Sequence, residues 1–149
     1  MIHDQMKALG RLSIVLRDEN GNIKDTREVD NLVVNTGLAY IASRMKDTTA
    51  TAMSHMGVGT GTTAAAAGDT TLGTEIGTRD ALDSTTVTSN QIAYVATFAA
   101  GNGTGAITEA GIFNASTSGT MLCRTVFAVV NKAAADTLQI TWTITISAA

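Results

Sequence analysis

The sequence predicts an all-β fold, a β-sandwich or barrel-like domain with one short α-helix. Three observations carry this reading. From Leu138 to Ile146 every even position is apolar and every odd one is Thr or Gln, the alternation of a strand with one apolar and one hydroxyl face. Strand-like runs recur along the chain with Gly, Asn and Asp between them, the spacing of a sandwich or barrel. Helical periodicity is credible in one stretch alone.

In chain order, residues 1–9 read as a loosely tied N-terminal arm, with Ile2, Met6 and Leu9 along one apolar edge. Arg11–Arg17 and Asn22–Val29 flank Asp18-Glu-Asn-Gly21, and Asn-Gly between two strand-like runs signals a hairpin. The helix is expected from Asn35-Thr36-Gly37 to about Lys46, with Leu38, Ile41, Ala42 and Met45 as its apolar stripe. Asn35 or Thr36 can cap its first amides, and Arg44 and Lys46 suit the C-terminal end of its dipole. A polar loop, 47–52, follows. From Met53 to Leu82 the composition shifts to Gly, Ala and Thr. Met56–Thr60 and Glu75–Leu82 read as strands there, and Thr62–Gly68 as a loop or a single helical turn. Thr85–Ala100 reads as one strand with Ile92, Tyr94, Ala96 and Phe98 on one face. Gly101–Gly105 is a turn, Ala106–Asn114 a strand and Ala115–Gly119 a second turn. Met121–Val130 and Thr137–Ser147 are expected to pair as a hairpin around Asn131–Asp136. No boundary splits the chain, so residues 1–149 form one domain.

Composition narrows the function. Charged residues make up 15% against 44% hydrophobic, and the net charge of −3 argues against nucleic acid and against an electrostatic grip on a membrane surface. No apolar run approaches the ~18–20 residues of a membrane span, and no signal peptide is recognisable at the N-terminus. The expectation is a soluble protein made in a reducing cytosol. The single Cys123 excludes an internal disulfide or a cysteine metal cage and reads as a small buried hydrophobe. Pro is absent, so turns fall to Gly, Asn and Asp.

Chemistry is sparse. Gly57-Val-Gly-Thr-Gly61 invites a phosphate-loop reading, but the third glycine is misplaced for G-x-G-x-x-G and no Lys-Ser or Lys-Thr follows. It reads as a tight structural loop. His3 and His55 lack a second ligand at metal spacing, and no nucleophile–base–orienter set can be assembled. Asp69, Glu75, Asp80, Asp83 and Glu109 include possible pairs, as in a glycosidase, yet aromatics are only 4% and sugar platforms are missing. These carboxylates read as solvated groups of loops and turns. Trp142 falls on the apolar side of the last strand, as a core residue. The expectation is no enzyme, no catalytic residues, no cofactor and no metal.

Three segments carry a resemblance. Asn31-Leu-Val-Val-Asn-Thr-Gly-Leu-Ala-Tyr-Ile-Ala42 resembles the strand, N-T-G, helix entry of small structural proteins of tailed bacteriophages. The block 56–75 is similar to one in which a glycine-threonine run leads to A-x-x-x-D-T-x-L. Ile107-Thr-Glu-Ala-Gly-Ile-Phe-Asn114, followed by Gly119-Thr-Met-Leu-Cys-Arg-Thr-Val-Phe127, resembles the I-x-E-A-G-I-F…M-x-x-R-x-x-F hairpin of the same group. Together they span most of the chain after Asn31. The resemblance implies a virion part, either a capsid decoration (cement) protein or a tail-fibre or collar component. In the decoration case it implies a jelly-roll-like sandwich, often a homotrimer, bound to the major capsid protein on the outside of the head. The arm residues Ile2, Met6 and Leu9 are then the expected capsid interface. A carbohydrate-binding module is the more distant alternative.

Overall fold

A computed structural model describes residues 5–46 and 50–148. Nine strands and one helix follow each other as β1 (Met6–Arg17), β2 (Ile23–Val33), α1 (Asn35–Lys46), β3 (His55–Gly59), β4 (Glu75–Ala81), β5 (Ser84–Thr88), β6 (Gln91–Phe98), β7 (Gly105–Phe113), β8 (Met121–Lys132) and β9 (Thr137–Ala148). All strands belong to one curled antiparallel sheet in the order β4-β3-β7-β8-β2-β1-β9-β6-β5. The all-β class and the single short helix are as expected. Four of the pairings join consecutive strands: β1–β2, β3–β4, β5–β6 and β7–β8.

β9 is a joint longest strand, and its even residues Leu138, Ile140, Trp142 and Ile144 are buried, as its alternation requires. It lies between β1 and β6, so that Leu12, Trp142 and Tyr94 form one cross-strand row and Ile14, Ile140 and Ala96 the next. Across the core this layer meets Met56 and Val58 of β3, Ile107, Ala110 and Ile112 of β7, and Leu122, Cys123 and Val130 of β8. The sheet curls because β4 and β5, at opposite ends of the strand order, are joined by Leu82 and Asp83 alone. The Leu82 amide donates to Ser54 O in one half (2.9 Å) and the Asp83 amide to Val95 O in the other (2.7 Å). Cys123 is buried in the core, and burial pushes its thiol well above the ordinary value.

Several expectations need correction. Residues 6–9 are not a loose arm: Met6 pairs with Ala148 and Leu9 with Thr145, so β1 runs on past the expected start at Arg11. Thr85–Ala100 is not one strand but the hairpin β5–β6, reversing at Ser89-Asn90, where Ser89 takes a left-handed φ of 54°. β8 and β9 do not form a hairpin. Both sides of β9 are taken by β1 and β6, and β8 pairs with β7 and β2. The segment between them is a corner, pinned by Asp136, which accepts from the Ala133 amide (2.8 Å) and Lys24 Nζ (2.7 Å). Finally, the helix does not bury its expected stripe, since Leu38 is 47% and Met45 76% exposed.

The face that docks is that of Gly37, Tyr40 and Ile41. A Cβ at Gly37 would run into the Leu122 carbonyl, so glycine is what lets the helix lie against β8. Neither Asn35 nor Thr36 caps in the expected way. The first helical bond runs from the Leu38 amide to Val34 O (3.0 Å), and the Thr36 hydroxyl donates to Met121 O (2.9 Å).

Candidate interaction face

β5, β6, β9 and β1 present their outward residues as cross-strand rows. One row is Ser84, Val95, Thr141 and Ser13; the next is Thr86, Ala93, Thr143 and Arg11; the third is Thr88, Gln91, Thr145 and Leu9. Across β5, β6 and β9 these rows hold no charged residue. Charge begins at β1, where Arg11 pairs with Glu28 at 2.8 Å and lies 3.8 Å from Asp30. Open to water on both sides, that group contributes little to stability. Beyond it the three rows are neutral, short-chained and rich in hydroxyls, and the next outward residue of β6, Thr97, donates to the Asp83 carboxylate at 2.7 Å.

The expected interface residues divide. Ile2 lies outside the described residues. Leu9, 55% exposed, closes the third row of the neutral face. Met6, 61% exposed, sits three positions earlier and on the opposite side of the strand. Met6 and Leu9 therefore do not share one edge of a free arm.

The Gly57–Gly61 loop has an occupant of its own. Glu109, within β7, is completely buried and reaches beneath the segment 60–74. Its Oε1 accepts from the amides of Gly61 (3.0 Å) and Thr74 (2.7 Å), and its Oε2 from that of Gly73 (2.8 Å). Arg124 on β8 donates to Oε2 through Nε (3.0 Å) and Nη2 (2.9 Å), then to Asp69 through Nη1 (2.8 Å) and to Thr63 O (2.9 Å). A Cβ on Gly61 would press on the same carboxylate. The glycines are thus present for close approach to an anion, but the anion is a side chain of the protein itself. This corrects the reading of Glu109 as a solvated carboxylate. The clue available in the sequence is a Glu and an Arg each embedded in an apolar strand, where a lone charge is too costly to bury.

Burial alone would push the Glu109 carboxyl up; the amides of Thr74 and Gly73, Arg124 and the Gly61 amide outweigh it and hold it below the ordinary value. Asp136 is also lowered, chiefly by its hydrogen bond from Lys24 and then by the Ala133 amide. For both groups the unfolded chain binds protons more readily than the folded one. Their contribution is therefore present above the ordinary carboxylate range and lost as pH falls through the lower folded values. Thermal melts taken between about pH 5 and pH 2, beginning just above the ordinary carboxylate values near 4, should show the melting temperature falling with pH. The slope should be shallower in Glu109→Gln. Asp80 has the opposite sign, raised by burial and by Asp83 with His55 opposing, so what it contributes is lost as pH rises.

Two further cations, Arg79 and Lys132, are also held within the structure. Arg79 lies over the Phe113 ring, 3.4 Å from its centroid, and binds Glu75 and the carbonyls of Ala115 and Ser118. Lys132 is buried with Nζ on Ala99 O (3.0 Å), and burial lowers its value against the pull of Asp136. Among the described residues no three His, Cys, Asp or Glu side chains are grouped to hold a metal ion. Among them, too, no helix is long and apolar enough to cross a membrane. Trp142, Tyr94, Phe98 and Phe113 are buried, and Tyr40 and Phe127 half-buried. An apolar groove of about 230 Å³ opens between α1 and the β5–β6 hairpin, lined by Tyr40, Ile41, Val87, Ile92, Ile144 and Ile146 among others. Comparison with protein families, curated proteins and solved structures finds no match.

Proposed function

We propose that this protein is a bacteriophage capsid decoration protein, which binds the outside of the assembled head and bridges neighbouring copies of the major capsid protein. The observation that carries the reading is the set of three uncharged, hydroxyl-rich rows across β5, β6 and β9. A solvated sheet ordinarily places Lys and Glu at such positions. A neutral face of Thr, Ser and Gln gives up little hydration energy when covered and suits a wet, hydrogen-bonded contact. A rigid core beneath it and many identical copies then supply strength through avidity. The three phage-like segments give the surface its class, and the exposed Leu9 adds an apolar anchor at its margin.

A tail-fibre or collar component is the second reading, favoured by the same resemblance. A sugar-binding module has less support, because the aromatic rings are spent on the core. The deciding measurement is the number of copies per purified virion. Decoration gives hundreds and a tail part on the order of a dozen, as closed symmetric assemblies dictate. Purified protein should also bind heads lacking it and leave isolated tails bare. Binding to tails alone would overturn the decoration reading.

A further inference from the structure

The two ends of the sheet are finished differently. At one end, β4 carries Glu75, Arg79 and Asp80, and its outer side is closed by the β6–β7 turn. Asn102 there accepts from the Thr78 amide through Oδ1 (2.9 Å) and donates through Nδ2 to Thr78 O (3.0 Å), as a neighbouring strand would. At the other end, β5 reads Ser84-Thr-Thr-Val-Thr88, with all five residues exposed, no charge and no Pro. Among the described residues no hydrogen bond outside the β5–β6 ladder reaches it. Natural edge strands are ordinarily blunted by charge, Pro, a bulge or a cover. β4 has such protection and β5 has none.

We infer that β5 is a pairing edge for β5 of a second copy of this chain, antiparallel about a two-fold axis near Thr86. The kind of partner follows from the edges. Head-to-tail assembly would need β5 to meet β4, and β4 is already capped, so the contact must be of β5 with itself. Antiparallel self-pairing sets Thr86 beside its twin, Ser84 beside Thr88 and Thr85 beside Val87. Any charge at the centre would face its own copy, and a strand without charges avoids that repulsion. Pairing also covers Val87, which is 70% exposed at the lip of the apolar groove. It continues the hydroxyl rows across two molecules. A five-residue edge buries little area, so the association is weak and reversible. The two-fold pair is a different assembly from the threefold one implied by the resemblance, and it does not depend on the decoration reading.

The test is sedimentation velocity of the full chain over a range of loading concentrations at low ionic strength, where exposed charges are least screened. The wild type should show a reversible monomer–dimer equilibrium. Thr86→Lys and Thr86→Glu should each weaken dimerisation by about tenfold or more through like-charge contact, and their equimolar mixture should dimerise again. Thr86 is exposed, so both variants should keep the wild-type circular dichroism spectrum and melting temperature. On the unmodified chain, amide exchange in β5 should slow as protein concentration rises. A wild type that stays monomeric throughout, a trimer indifferent to either substitution, or a mixture no more associated than its components would overturn the inference. No heads enter this experiment, so its failure and that of the decoration reading are separately visible.

Discussion

Glu109→Gln is expected to cost about 3–5 kcal/mol of stability, the range for removing one partner of a buried charged pair. The amide is nearly isosteric, so the loss comes from charge and hydrogen bonding. Both carboxylate oxygens are fully used as acceptors, from three backbone amides and from two nitrogens of Arg124. Gln turns one acceptor into a donor that must face other donors, and it leaves Arg124, nearly as deeply buried, with Asp69 as its sole carboxylate partner. Asp69→Asn should be milder, about 1 kcal/mol, because Asp69 keeps 26% side-chain exposure and charges open to water contribute little. Urea titration gives the two free energies. Limited proteolysis gives the location: the Glu109 variant should be cut within 60–74, which this carboxylate ties to β7. Domains are stable by only about 5–15 kcal/mol, so the variant should sit close to unfolding at 37 °C.

What could be read from the sequence was local, and what could not was a choice among distant partners. The β1–β2 turn is legible because Asp18 holds the amides of Asn20 and Asn22 (both 2.9 Å) and Gly21 takes φ +83°, all within five residues. The faces of β9 are legible from period two alone. The partner of β9 is not, since β1 enters from the other end of the chain and β6 from the middle. The β5–β6 reversal is hidden because Ser89, not Gly, takes the left-handed position. The docked face of α1 escapes a hydrophobic count because it includes a glycine, at which any side chain would run into the Leu122 carbonyl. The Glu109 site draws on residues 61, 73, 74 and 124, and no spacing rule links them. The neutral outer face was half visible, as the Thr and Gln positions of one strand; pairing with β5 and β6 makes it a surface.

Trp142→Ala should also cost about 3–5 kcal/mol, as large aromatic truncations in cores do. Trp142 is completely buried on the middle strand of its layer, with Leu12 beside it on β1 and Tyr94 on β6. Strands paired on both sides cannot easily close around the void, which puts the cost toward the upper part of the range. Trp142→Phe separates volume from polarity. Among the described residues no acceptor reaches the indole Nε1, so the wild type buries that N–H without a partner. Phe gives up ring volume but removes a donor whose burial costs about 1–3 kcal/mol. The Phe variant should therefore lose much less than Ala, within about 1.5 kcal/mol of wild type, as near-conservative core exchanges do. Equilibrium unfolding of the three proteins at one pH provides the comparison. A Phe variant as unstable as Ala would mean that the indole N–H has a partner and that Trp142 holds the layer by more than its size.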